Sequence, residues 1–389
     1  MSLPETNPER ARRAVLSIFL VNGIVLSSWV PHIPVVKERL GIGEGVLGLA
    51  LLVMAAGAII AMPVSGALTA RFGSRAVTRI SAIGFCVTLP LPVLAPSLAA
   101  LAAGLFLFGA LNGAMDVAMN SQGLEVEKAL KRPVMSSFHA LFSIGGLLGS
   151  GLGGLALSAA VLPWQHVALV IPLALSGAVY AGRSLVAGDG AGGSAPTFVR
   201  PKGAVAVLGL LAFFVLVGEG AMADWTAVYL RDSLGTGPGI AAAGFASFSG
   251  MMALGRLLGD RLVARLGTTA LIRGSASLAV SGLAGGLLLS HPLAAVIGFG
   301  LVGLGLSNLI PVLFSAGGRV PGVHPGAGIA AVATAGYAGF LIGPPLIGLA
   351  AELVGLAVAL WLVVVALALV AAAARAADIA PDQPSSSRG

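Results

Sequence analysis

Runs of about twenty apolar residues, set between short polar segments, recur along the whole chain, and each is long enough to cross the hydrocarbon core of a bilayer as a helix. They lie near 14–36, 44–70, 76–95, 97–124, 135–159 and 161–183, and then near 204–230, 239–264, 267–290, 292–316, 322–350 and 352–374. Inside lipid every backbone polar group needs a partner, so only helices or a closed barrel can span. No ten-residue alternating pattern suggests a barrel. Charged residues make up 10%, against roughly a quarter in soluble chains, and 56 glycines suit helices that pack closely in lipid. The first run, Ala14 to Val36, is uncharged for 23 residues, too long for the core of a signal peptide. The chain reads as an all-α membrane protein of twelve transmembrane helices.

Between the sixth and seventh runs lies a segment, 184–203, that is rich in Gly, Ser and Pro and reads as a cytoplasmic linker. It separates an N-terminal six-helix bundle (1–183) from a C-terminal one (204–375), with a cytoplasmic tail (376–389) expected to be disordered. Orientation follows from Lys and Arg. With both termini in the cytoplasm, 18 of the 22 fall on that side, only Lys37, Arg39 and Arg231 fall outside, and Arg256 lies within a helix. The net charge of +7 is therefore a topology signal rather than a nucleic-acid surface. A single cysteine, Cys86, excludes an intrachain disulfide and a cysteine metal cluster.

The two bundles repeat one another. "ARFGSRAVTR" at Ala70 to Arg79 matches "ARLGTTALIR" at Ala264 to Arg273, an offset of 194, and Gly145, Gly149 and Gly154 recur at the same offset as Gly339, Gly343 and Gly348. Trp29 and Trp225 differ by 196, because "WVPHIPVVKERLG" is two residues longer than "WTAVYLRDSLG".

These features resemble the major facilitator superfamily over essentially the full chain. "GALTARFGSR" (Gly66 to Arg75) is similar to that superfamily's gating loop, with Ala70 where the family has Asp and Ser74 in place of the first closing basic residue. The resemblance implies gating by Arg71, Gly73 and Arg75, with Arg265 in the second half. "GRLLGDRLVARLG" does carry Asp260, so the inner gate is expected to lean on Asp260 and Arg256, one helical turn apart. "DVAMNSQG" resembles the fucose–proton symporter branch, although the helix-one acid of those carriers aligns here with about Ser27. "GEGAMADWTAVYLRD" and "SSFHALFSIGGLLG" are similar to an uncharacterised group of bacterial inner-membrane permeases. The branch implies proton-coupled uptake of a sugar-like solute across the bacterial cytoplasmic membrane.

Residues kept by only one half need a reason beyond the shared fold. "LNGAMDVAMNSQG" sets Asn112, Asp116 and Asn120 at i, i+4 and i+8, one polar stripe on a helix whose stretch from Ser97 to Gly123 has no other charge. A carboxylate there costs about 2.5–3.5 kcal/mol to insert. The mates of the stripe are Leu306, Ile310 and Phe314, so the fold does not demand it. A desolvated carboxyl suits loading and releasing a proton, and the alternative for Asp116 is a helix-to-helix hydrogen-bond staple. Hairpin geometry about the loop midpoint pairs Asn120 with His139 and sets Asp116 near Ser143, which makes His139 either a proton or substrate contact or an interfacial residue. Glu219 and Asp224 have the mates Gly23 and Ser28. Glu219, near the midplane, reads as a coupling or binding group, and Asp224 as a solute contact or the surface partner of Arg231. Trp29 and Trp225 belong to an aromatic belt or stack on a sugar. Asn22, Asn308 and Tyr337 are candidates for a cavity wall or for helix-to-helix hydrogen bonds. The recurrent glycines read as close helix packing, and Arg71, Arg75, Arg79, Arg265 and Arg273 as positive-inside anchors and gate.

No P-loop, H-E-x-x-H, G-x-S-x-G or cysteine pair is present, so no enzyme, cofactor or metal is expected and transport must be secondary or passive. The deep residues are acids and amides and, apart from Arg256 near the inner gate, include no base, which favours a neutral polar or cationic solute over an anion. The resulting expectation is a monomeric secondary transporter of a small neutral polar, sugar-like solute, with Asp116 carrying the proton and Glu219 binding or titrating second. A proton-driven exporter of small amphipathic compounds, or a non-transporting sensor or scaffold, are the alternatives.

Overall fold

The computed structural model describes residues 7–132, 134–187, 202–323 and 325–378. Most of the expected linker and of the tail lies outside them. The N-terminal half comprises α1 (Pro8–Leu40), α2 (Glu44–Phe72), α3 (Ser74–Val93), α4 (Leu98–Leu130), α5 (Met135–Ser158) and α6 (Pro163–Gly182). The C-terminal half comprises α7 (Ala204–Ser233), α8 (Pro238–Leu266), α9 (Thr268–Leu289), α10 (Pro292–Gly317), α11 (Pro325–Val354) and α12 (Leu356–Ala372). Eleven of these are long and apolar enough to cross a membrane, and α12 is a shorter apolar helix. Lipid is the natural solvent for the outward side chains, since Leu155, Leu169, Leu173 and Leu353 are each exposed, and a water-soluble surface would not carry so broad an apolar belt.

The twelfth span is shorter than the sequence suggests. Gly355 takes φ +82 and ends α11, so Glu352 to Val354 belong to the preceding helix and 17 residues remain for α12. The tenth span is interrupted as well, between Leu306 and Leu309, where Asn308 Nδ2 donates to the Gly255 carbonyl at 2.9 Å. Such a break is tolerated at membrane depth when side chains and a cavity satisfy the freed backbone.

The repeat read from the sequence appears in three dimensions. Gly73 and Gly267, 194 apart, hold φ +80 and +73 at equivalent corners between the second and third helix of each half. In one half α1 packs on α5 and α2 on α4, and in the other α7 packs on α11 and α8 on α10. The halves meet through two equivalent contacts, α5 on α8 and α11 on α2. The recurrent glycines sit at these seams. A Cβ on Gly145 would lie 2.5 Å from the Leu20 carbonyl oxygen, one on Gly339 2.4 Å from that of Phe213, and one on Gly348 2.6 Å from that of Glu44. Backbone in contact with backbone leaves nothing flexible to give way. Gly145→Leu is therefore expected to cost about 3 kcal/mol or more through forced separation of α1 and α5. A drop in the detergent melting temperature checks it, and an unchanged melt would show that the seam can open freely.

Consecutive helices are not always neighbours. The hairpin pairing expected for α4 and α5 is replaced by α5 packing between α1 and α8, with α4 and α5 meeting around Gly123, where a Cβ would touch Met135 and Phe138. Two expected boundaries also shift. The first linker residues are clamped, with Val186 N donating to Gln122 Oε1 and Gln122 Nε2 to the Val186 carbonyl, both at 2.9 Å. At the other end Ala374–Ala377 forms a 3-10 turn with Ala374 and Ala377 buried, so the first residues of the expected tail pack against the bundle.

Candidate functional site

Between the halves lies a cavity of about 640 Å³, within the range of small-molecule sites. Asn22, Trp29, Asn112, Asp116, Asn120, His139, Glu219, Asp224, Arg256, Asn308 and Tyr337 line it. The polar stripe of α4 is in its wall, and so are the stripe's apolar mates Leu306, Ile310 and Phe314 on α10. The pseudo-twofold thus opposes a polar wall to an apolar one.

The stripe splits into two roles. Asn22 Nδ2 donates to Asn112 Oδ1 at 3.1 Å, a helix-to-helix bond that ties α1 to α4. Asn120 Nδ2 donates to Asp116 Oδ1 at 3.0 Å and to the Asp116 carbonyl at 2.8 Å, a bond one helical turn long within α4. Among the described residues Asp116 makes no bond to another helix and no salt bridge, so the staple belongs to Asn112 and not to Asp116. A carboxylate held by a single amide and facing a cavity is left free to exchange a proton.

Arg256 occupies a different place from the one expected. Rather than standing at an inner gate with Asp260, it reaches across the halves from α8: Nη1 donates to Ser143 Oγ at 2.6 Å and to the His139 carbonyl at 3.2 Å, while Nη2 lies 3.8 Å from Glu219 Oε1. Ten residues from the end of α8 place it about 15 Å deep, too far from the surface loop to act there. Asp260's side chain lies outside the described residues. The cavity therefore does hold a base, matched to Glu219. The His139 and Phe19 rings stand nearly perpendicular, with centroids 5.2 Å apart, and His139 lines the cavity without pairing with Asn120.

The two tryptophans, expected in an aromatic belt or against a sugar, differ from one another in their surroundings. Trp29 and Trp225 are 2% and 0% exposed, so neither lies in a lipid-facing belt. Trp29 lines the cavity, whereas Trp225 does not and packs against α11, where a Cβ on Gly348 would meet its ring at 3.1 Å. Asp224 faces the cavity and makes no pair with Arg231, which bonds Glu38 instead. Sequence reasoning missed the apolar wall of Met54, Met119, Phe142, Phe245 and Phe340. Met119, Phe142, Phe245 and Phe340 lie on the same helices as polar candidates, which does not distinguish them from core, and Met54 lies on α2, which carries no polar candidate in the cavity.

The face bearing the helix ends at Phe72, Leu130, Leu266 and Gly317 is the basic one, and the two faces differ in how the halves meet. On the opposite face Lys37 Nζ bridges Asp232 at 2.8 Å and Glu44 at 2.9 Å, Arg231 pairs with Glu38, and Gly45 N donates to Glu352 Oε2 at 2.9 Å. Deeper on the same side Ser150 Oγ donates to the Ala242 carbonyl at 2.9 Å. Among the described residues, no hydrogen bond between halves lies nearer the basic face than those of Arg256, and the cavity continues past them to Met62, Met135 and Gly259. The cavity is closed on one face and open toward the other. The residues expected to gate stay within their own halves here: Arg71 is exposed with its guanidinium 5.0 Å from the Phe72 ring, Arg75 donates to the Arg183 carbonyl at 3.1 Å, and Arg265 is exposed.

Two pseudo-symmetric six-helix bundles around a one-sided cavity, with a few polar side chains set in a largely apolar wall, define a membrane transporter. The chain belongs to the Major Facilitator Superfamily, whose sequence profile matches residues 15–321. It is 40% identical over 335 residues to an uncharacterised MFS-type transporter of Yersinia pestis, covering 86% of this chain and 87% of that one. It is 38% identical over 346 residues to an uncharacterised transporter of Sinorhizobium fredii, covering 87% and 91%. Its fold superposes on the crystal structure of a bacterial homologue of the human lysosomal transporter Spinster in an inward-facing, unoccupied conformation, with a TM-score of 0.72, 15% identity and coverage of 97% and 98%.

Proposed function

We propose that this protein is a proton-coupled secondary transporter of a small polar, sugar-sized solute in a bacterial inner membrane, with both termini cytoplasmic. The observation that carries the reading is Asp116: a carboxylate of one half only, without a salt bridge among the described residues, facing a central cavity beside the amides Asn112 and Asn120. Amide, imidazole and phenol groups in the wall supply donors and acceptors for hydroxyls, and Arg256 is engaged by Glu219, which leaves an anion without a free partner. Resemblance to the fucose–proton symporter branch agrees with this assignment. In the proposed orientation the basic face is cytoplasmic, so the cavity is open inward, and Arg71, Gly73, Arg75 and Arg265 close the gate in the opposite state. One chain suffices for the cavity, in keeping with a monomer.

A thermal-shift screen of sugars, polyols and amines on the detergent-purified protein identifies the solute, because a ligand that binds the folded state raises its apparent stability. Uptake into proteoliposomes driven by a pH gradient then tests the coupling. No solute counterflow for any compound that binds would sink the reading in favour of a sensor or scaffold. The apolar wall of Met54, Phe142, Phe245 and Phe340 favours a second reading, a proton-driven exporter of amphipathic compounds. Resistance conferred on a drug-sensitive host would select it.

The closed face supplies a further prediction. Lys37→Ala removes the ion pair to Asp232 that crosses between the halves, together with the pair to Glu44 beside it, and is expected to raise labelling of an Ala223→Cys variant by an impermeant thiol reagent added outside by about 5-fold or more. The buried Cys86 is replaced by Ala in this background. An unchanged rate would mean that these pairs do not hold the face shut.

A further inference from the structure

Asp224 is the cavity carboxylate that the described residues leave unsatisfied. Asp116 is bonded by Asn120 and Glu219 faces Arg256, whereas Asp224 takes part in no hydrogen bond and no salt bridge among the described residues. Its expected partner, Arg231, is bound to Glu38, and the nearby Lys37 is held by Glu44 and Asp232. Twenty residues into α7, Asp224 stands about 30 Å from that helix's start, at the closed end of the cavity. Trp29, Leu51, Phe245 and Phe340 line that end with it. Phe340 is held against α7 one turn from Asp224, where a Cβ on Gly220 would meet its ring at 3.1 Å.

Two independent features point the same way. The described cavity wall carries three carboxylates, Asp116, Glu219 and Asp224, against one guanidinium, Arg256. A carboxylate with no donor, in an apolar end of a site, is completed by a group that brings both positive charge and N–H donors. The aromatic rings beside it are surfaces on which a cation is attracted rather than excluded. An anion or a purely hydroxylated solute would leave that charge unanswered.

We propose that the transported solute carries a protonated amine, which docks on Asp224 while the rest of the molecule extends from there into the cavity. This rests on the reading of the cavity as the solute site and names the class of solute within it. Asp224 then determines specificity, whereas Asp116 carries the proton.

The test uses the full-length purified protein at pH 7.5 and matched pairs that differ in an amine against a hydroxyl: glucosamine and glucose, 2-amino-1,3-propanediol and glycerol, phenethylamine and 2-phenylethanol. Thermal unfolding is followed against concentration. At least one amine is expected to bind roughly 10- to 100-fold more tightly than its alcohol, the range for a charge-assisted hydrogen bond. Asp224→Asn should erase that preference, and Glu9→Gln, a carboxylate outside the cavity that pairs with Arg132, should keep it. Equal binding of both members of every pair, a preference that survives Asp224→Asn, or no amine binding at all overturns the proposal. Should Asp224→Asn fail to fold, carbodiimide labelling of Asp224 in the unaltered protein decides instead: protection by the amine but not by the alcohol supports the assignment, and no protection refutes it. If alcohols bind and are counterflowed without any advantage to amines, only the amine assignment fails, and if neither class binds or moves, the transport reading fails with it.

Discussion

Replacing Asp116 by Asn is expected to abolish accumulation of the solute while leaving its counterflow intact. One pH unit corresponds to about 1.36 kcal/mol, so one proton per solute supports roughly tenfold accumulation per unit of gradient. The substituted amide does not titrate, yet its oxygen can still accept the hydrogen bond that Asn120 Nδ2 gives to Asp116 Oδ1, so the wall keeps its shape. The solute ratio in proteoliposomes under an imposed pH gradient should fall to about one, with exchange of labelled for unlabelled solute continuing. Tenfold accumulation retained by Asp116→Asn would take the proton away from this residue, and Glu219 would be the next to replace.

The second large effect is expected at Arg256. Its guanidinium holds Ser143 and the His139 carbonyl across the seam and stands 3.8 Å from Glu219, with side chains 15% and 20% exposed to the cavity. Arg256→Ala leaves Glu219 without its counter-charge and frees two acceptors, at a cost of about 2–4 kcal/mol, below the deep-interior figure because the cavity admits water. Joining Arg256→Gln to Glu219→Gln removes both charges and should recover most of that stability. Transport should not recover, because a neutral amide cannot make the charged tie that both halves share through α5 and α8. Melting temperatures of the single and double variants separate the two effects. A double variant no more stable than Arg256→Ala would show that the cost comes from lost packing and not from the stranded carboxylate.

The fold was legible because a bilayer leaves a chain few choices. Apolar run length, basic loops and the 194-residue repeat specify helices, their number and the two halves without reference to any contact. The residues of the site were legible for a related reason. A charge or amide inside an apolar run is costly, so Asn112, Asp116, Asn120, Glu219, Asp224 and Arg256 stood out, and all six line the cavity. Their partners were not legible. Hairpin spacing assumes that α4 and α5 lie side by side, but α5 packs between α1 and α8, so the pairing of Asn120 with His139 gives way to Asn120 with Asp116. Trp225 illustrates the same limit: its repeat mate Trp29 reaches the cavity, while it turns into the α7–α11 seam.

By itself, then, the sequence determined the class of fold, the two-bundle repeat and which side chains are too polar for lipid, since each of these is a property of one helix in its solvent. Only the tertiary structure decided that Arg256 answers Glu219, that Asn112 ties α1 to α4 while Asp116 stays free of salt bridges, and which face is shut by Lys37, Asp232, Glu38 and Arg231. Those are relations between helices, and they depend on rotations and crossings that hydrophobic periodicity does not encode when nearly every face of a helix is apolar.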